Sequence, residues 1–124
     1  MREIIFRGKR ICDGKWIYGD LRQWTKKSKG ICEYEIGKTS RVLVETVGQY
    51  TGLTDKKGKK IFEKDIVRYG DTIHKVVFEQ RNGTAYFGLV YSEIETLPFG
   101  HDQNLRQIEV IGNIHDNPKL LEFE

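Results

Sequence analysis

Apolar and polar residues alternate along this chain with a period of two. In ICEYEI (31–36), Cys32, Tyr34 and Ile36 fall on one side and Ile31, Glu33 and Glu35 on the other. In TIHKVVF (72–78), Ile73, Lys75 and Val77 oppose His74, Val76 and Phe78. Successive side chains of a strand point to opposite faces, so this alternation predicts strands. β-Branched and aromatic residues fill similar runs at 4–12, 15–24, 42–47, 60–62, 66–69, 84–91 and 108–114. No segment before residue 116 carries a helical apolar stripe over about 11 residues.

The runs are separated by turn chemistry. Asp13-Gly14 and Asn82-Gly83 stand between β-rich flanks. Both pairs predict type I′ hairpins, in which the two central residues take positive φ. KKSKG (26–30) reads as a polar loop and GKTSR (37–41) as a turn. Residues 92–107 are polar and irregular, with Pro98, Gly100 and His101. Near the end, Asp116 or Asn117 can cap, and Pro118 suits a first helical position, so one short C-terminal helix is expected. Many short strands spaced by Gly-bearing turns predict an all-β protein, either a small barrel or stacked sheets.

Composition narrows the class. A chain of 124 residues makes one ordinary domain, or two very small ones sharing a core. It is 38% hydrophobic and 31% charged, a globular rather than a disordered balance. No apolar run approaches the roughly 20 residues of a membrane span. The opening MREIIFRGKR lacks a signal peptide's apolar segment. The expectation is a soluble, cytoplasmic protein. Cys12 and Cys32 have no CxxC or His spacing around them, so two reduced, buried thiols are expected rather than a disulfide or zinc framework.

Charge is uneven. Residues 1–60 carry 15 Lys+Arg against 7 Asp+Glu, whereas residues 61–124 carry 6 against 11. That split fits an anionic partner for the first half, or head-to-tail contact between copies. Two solvated faces would give the same split.

Lys56, Lys57, Lys59 and Lys60 surround Gly58. A phosphate-binding P-loop needs G-x-x-x-x-G-K-[ST] ahead of a helix. Here Gly52 to Gly58 is one residue too long, Lys60 replaces Ser or Thr, and a strand follows. Asp55-Lys56-Lys57-Gly58 instead fits a type I turn, with Asp accepting backbone N–H bonds and Gly taking positive φ. The lysines would then project into water, where phosphate contact is their functional reading. Glu63 and Asp65 would share a strand face as an acid/base or metal pair, but Asp65 also suits backbone capping. His74, His101 and His115 show no metal-ligand spacing, and no serine sits in a G-x-S-x-G context. Trp16, Tyr18 and Trp24 interleave with Lys15, Arg22, Lys26 and Lys27. Such rings either stack on bases or bury, and Trp24, beside the KKSKG loop, is expected to be exposed.

ETVGQYTGLTDKKGKKIFEKDIVRY (45–69) and VIGNIHDNPKLLE (110–122), with the opening REIIFRGKR, resemble the YopX family of bacteriophage and prophage proteins. The resemblance spans nearly the whole chain. It implies an N-terminal β portion over 1–55 and an SH3-like barrel over 56–124. It implies a phage accessory protein of unassigned biochemical role, acting in the host cytoplasm. With no catalytic constellation or cofactor motif in the residues, the expectation is a non-enzymatic module that forms homo-oligomers or binds a phage or host protein. The alternative is a nucleic-acid binder using Trp24, Lys26, Lys27, Lys29, Lys56, Lys57, Lys59 and Lys60. One departure from the family pattern stands out. The family reads E-G-D-I-V where this chain has Glu63-Lys64-Asp65-Ile66-Val67. If that position needs positive φ, Lys64 carries roughly 1 kcal/mol of strain.

Overall fold

A computed structural model describes residues 3–26, 31–37, 40–81, 83–92, 95–99 and 107–123, some by backbone alone. Among them the protein is all-β, and its helical elements are short 3-10 turns. The chain divides into two compact units, Met1–Tyr50 and Thr51–Glu124.

The first unit opens with β1 (Phe6–Lys9) and β2 (Trp16–Gly19), paired antiparallel. Their connection contains Asp13-Gly14 but is not a two-residue type I′ turn. Only Gly14 takes positive φ (70°), and its N–H donates to Arg10 O across a wider loop. The run expected at 15–24 breaks at Gly19-Asp20 into β2 and β3 (Leu21–Lys26). Gly19 has φ 156°, and a Cβ there would stand 3.4 Å from the Gly37 backbone. β3 pairs with β4 (Ile31–Ile36), and β4 with β5 (Ser40–Val42).

The strand expected over 42–47 ends early. A 3-10 turn at Val44–Thr46 replaces it. The Thr46 hydroxyl donates to Leu43 O (2.6 Å) and accepts from Lys9 N (2.9 Å), so local side-chain bonding displaces the ladder. Ile36 and Val42 are almost fully buried. A Cβ at Gly8 would stand 3.1 Å from both, so the hairpin backbone lies directly on them. β6 (Gly48–Thr54), outside the runs expected from the sequence, begins by pairing Gly48 and Gln49 with β1.

In the second unit, β7 (Lys60–Phe62), β8 (Asp65–Tyr69), β9 (Thr72–Arg81) and β10 (Thr84–Ser92) follow the expected runs closely. β11 (Glu95–Pro98) lies inside the stretch expected to be irregular, and Pro98 at its end fits an outer strand. β12 (Ile108–Asn113) returns to pair with β8. The strand order is β11-β10-β9-β8-β12. No ladder joins β11 to β12 among the described residues, so the sheet does not close into the expected barrel. Ile61, Val67, Val76, Leu89, Ile108 and Val110 form one core cluster. On β9 the inward side is that of His74 and Val76, while Phe78 emerges at the surface against Phe87.

The chain ends in a 3-10 helix, Pro118–Phe123, starting at the expected proline. The Asn117 side chain turns back to β12, its Oδ1 accepting from Asn113 N (3.2 Å). Asn113 Oδ1 in turn accepts from His115 N (3.0 Å) and Asp116 N (2.9 Å).

Candidate functional site

The lysine-rich turn forms as its residues dictate. Gly58 N donates to Asp55 O (3.0 Å), and Gly58 takes φ 82°. Asp55 Oδ1 accepts from both Lys57 N and Lys59 N at 2.9 Å. Its other oxygen reaches across the unit and accepts from Val110 N on β12 at 3.0 Å. Lys56 N donates to Ile108 O (2.9 Å). The turn therefore covers the outer edge of β12. Burial pushes the Asp55 carboxyl up, but the bonds from Val110, Lys59 and Lys57 outweigh it and hold it below the ordinary value.

The lysines do not all project into water. Lys57 Nζ lies 2.8 Å from Glu109 Oε2, and Lys56 Nζ 3.7 Å from Oε1. Arg68 Nη2 joins them, donating to Glu109 Oε1 at 3.0 Å. Arg68 and Glu109 are direct partners in the β8–β12 register, so the ladder delivers both to one place. The hydrogen bonds from Lys57 and Arg68 hold the Glu109 carboxyl at about 2. The same bond pushes the Lys57 ammonium up. Three cations thus surround one carboxylate. Their side chains remain 44%, 69% and 52% exposed for Lys56, Lys57 and Arg68, while Glu109 keeps 16%. Beside them lies a groove of about 350 Å³ lined by Lys56, Arg68, Gly70, Gln107 and Glu109. Lys59 and Lys60 are exposed on the approach to and start of β7. Arg68 and Glu109 escaped the sequence reading because they come from separate strands. Only the β8–β12 register could have found them.

Of the other four proposed contacts, Trp24 and Lys26 lie on β3 with their backbone alone described, and Lys27 and Lys29 lie outside the described residues.

Asp65 and His74 are engaged in the fold. Asp65 is buried and its Oδ2 accepts from Phe62 N at 2.8 Å. Between Phe62 and Asp65, Lys64 takes φ 71°, the conformation expected where the family has glycine. His74 is buried. Its Nδ1 lies 3.0 Å from Val90 O and so carries the proton, and Nε2 lies 2.7 Å from Thr72 Oγ1. Its ring packs on Tyr91. His101 lies outside the described residues. Cys12 is exposed, not buried as expected, because it sits in the wide loop after β1; the Cys32 side chain is not among those described. Among the described residues, no three His, Cys, Asp or Glu side chains group to hold a metal ion. No described helix is long and apolar enough to cross a membrane.

The first unit carries a surface of different character. Arg7 faces Tyr18, and Lys9 faces Trp16, across β1–β2. The Arg10–Val42 bridge places Leu43 beside Lys9. Directly opposed residues share a face, so these side chains lie on the side away from the Gly8 contact with Ile36 and Val42. The Arg7 guanidinium carbon is 4.6 Å and Lys9 Nζ 5.4 Å from the Trp16 ring centre. Tyr18, opposite Arg7, is 56% exposed and Ile11, in the loop after β1, 58%, with Leu43 and Val44 also at the surface, whereas Arg7 itself is buried.

Comparison with known proteins follows the fold. The crystal structure of protein EF1440 from Enterococcus faecalis is similar over 98% of this chain and 99% of that one, with TM-score 0.59 and 24% identity. At that identity the likeness speaks for the fold alone. No curated protein matches the chain. The family model described as YopX protein matches residues 5–122, nearly the full length, and the chain belongs to the YopX family.

Proposed function

We propose that this chain is a phage- or prophage-encoded accessory protein that works in the host cytoplasm without catalysis, as a module that associates with itself or with a phage or host protein. The observation that carries this reading is the β1–β2 face, where exposed Tyr18 stands opposite the buried Arg7 of a cation–π stack on Trp16, with exposed Leu43 beside Lys9 and exposed Ile11 in the loop after β1. Aromatic, aliphatic and Arg side chains together make the composition of a protein interface centre. Exposed large apolar side chains beside such a stack suit a partner surface. The family-identifying residues point the same way, since Asp55, Gly58, Asp65 and Asn113 are occupied in backbone bonding rather than free for chemistry. Sedimentation velocity over a concentration series tests this. Mass rising with concentration, and falling back in a Tyr18→Ser, Ile11→Ser double variant, is the expected result; a monomer at every concentration opposes self-association.

The second unit is read as an SH3-like barrel left partly open. β8 to β11 meander and β12 returns beside β8, a five-stranded order of that kind.

A second reading is nucleic-acid binding through the basic loops. It is favoured by the exposure that Lys56, Lys57 and Arg68 retain beside a groove. Retardation of single- or double-stranded DNA at low salt, lost at higher salt, tests it.

A further inference from the structure

The groove beside the Asp55 turn can be taken further, resting on the second reading above and independent of association through the first unit. Lys56, Lys57 and Arg68 converge on Glu109 from the turn and from β8. One carboxylate cannot saturate them. A lysine has three donors and an arginine five, while each gives Glu109 a single close contact. Lys56 and Arg68 line the groove, and Lys57, the most exposed of the three, stands beside it on the same carboxylate. The local balance stays positive, and Lys59 is exposed close by. Convergent cations with spare donors match a phosphate group, whose several oxygens take several donors at once. The size is also telling. About 350 Å³ falls at the small end of ligand-site volumes, suited to a single nucleotide and not to a duplex. Gln107 on the wall offers both a donor and an acceptor for a base or sugar, and Gly70 leaves its side of the groove without a side chain.

We propose that this groove is a nucleotide-phosphate site and that Glu109 is its built-in competitor, holding the cations in place until a phosphate takes over their free donors. The phosphate is either that of a free nucleotide or that of a single-stranded chain.

Fluorescence anisotropy of a labelled short oligothymidylate, with unlabelled thymidine monophosphate as competitor, tests this at low salt. Glu109→Gln removes the competing charge and should tighten binding about tenfold. Lys57→Ala and Arg68→Ala should each weaken it several-fold. Asp116→Asn makes the same change in net charge beyond the opposite end of β12 and should leave affinity within a factor of two. Competition by the monophosphate at comparable concentration assigns a free nucleotide as ligand; failure to compete assigns the strand. Equal gains from Glu109→Gln and Asp116→Asn would reduce the effect to bulk charge and overturn the proposal. So would absence of binding in Glu109→Gln. If Glu109→Gln does not fold, Arg68→Ala decides alone, because that side chain lines the groove and is 52% exposed. Unchanged oligothymidylate binding in Arg68→Ala overturns the site. Loss of association in the sedimentation series would leave this result untouched.

Discussion

Asp55 and Val110 are joined by a 3.0 Å hydrogen bond between a buried carboxylate and a core-strand N–H, 55 residues apart in sequence. The same carboxylate ties down the lysine turn through Lys57 N and Lys59 N. One side chain thus fixes both the turn and the covered edge of β12. Asp55→Asn puts an NH₂ group where an oxygen must accept. Breaking charge-assisted bonds and stranding a buried N–H should cost about 3 kcal/mol, read by urea unfolding.

Acid should weaken the fold through two carboxyls. Asp55 lies below its ordinary value in the folded chain, and Glu109 falls from 4.5 to about 2. With a depressed folded value the unfolded chain takes up protons first. Their stabilisation is therefore present above about pH 4.5 and is lost as pH falls towards about 2. Unfolding midpoints measured across that window should drop in the wild type and drop less in Glu109→Gln.

Lys64 at φ 71° is a non-glycine residue in the left-handed region. Its backbone is held on both sides, with its N–H donating to Val76 O and its carbonyl accepting from Ile114 N, so the conformation cannot relax. Lys64→Gly should raise stability by about 1 kcal/mol, and Lys64→Val should lower it by at least as much. Thermal unfolding of the two variants gives the comparison.

Gly112 sits at the register shift in β12. A Cβ there would stand 2.6 Å from Asn117 Oδ1 and 3.0 Å from its Cβ, so the whole side chain would have to move. Asn117 would then lose Asn113 N. Gly112→Ala should cost about 1–3 kcal/mol. The Asn113 and Asp116 amides should exchange faster with solvent.

How far the sequence could be read depends on where each structure's cause lies. Period-2 runs such as ICEYEI and TIHKVVF became β4 and β9 because their pattern is local and strong. The Asp55–Gly58 turn was legible for the same reason, as turn chemistry is carried by adjacent residues, whereas the positive φ at Lys64 was suggested only by the glycine the family has there. VLVETV was misleading. Its β-branched composition predicts a strand, yet Thr46 finds Leu43 O and Lys9 N, and the second of those partners is far away in sequence. β11 was hidden because ETLP is short and polar and is a strand only by pairing with β10. The candidate site was half legible. The lysines announced themselves, but Glu109 and Arg68 meet them only through the β8–β12 register.

Self-association is decided by sedimentation velocity of the intact protein across a wide concentration range. The mass should rise with concentration, and the Tyr18→Ser, Ile11→Ser variant should lose that rise while its thermal unfolding remains cooperative. A wild-type protein that stays monomeric throughout, or a double variant that associates as well as the wild type, would contradict association through the β1–β2 face.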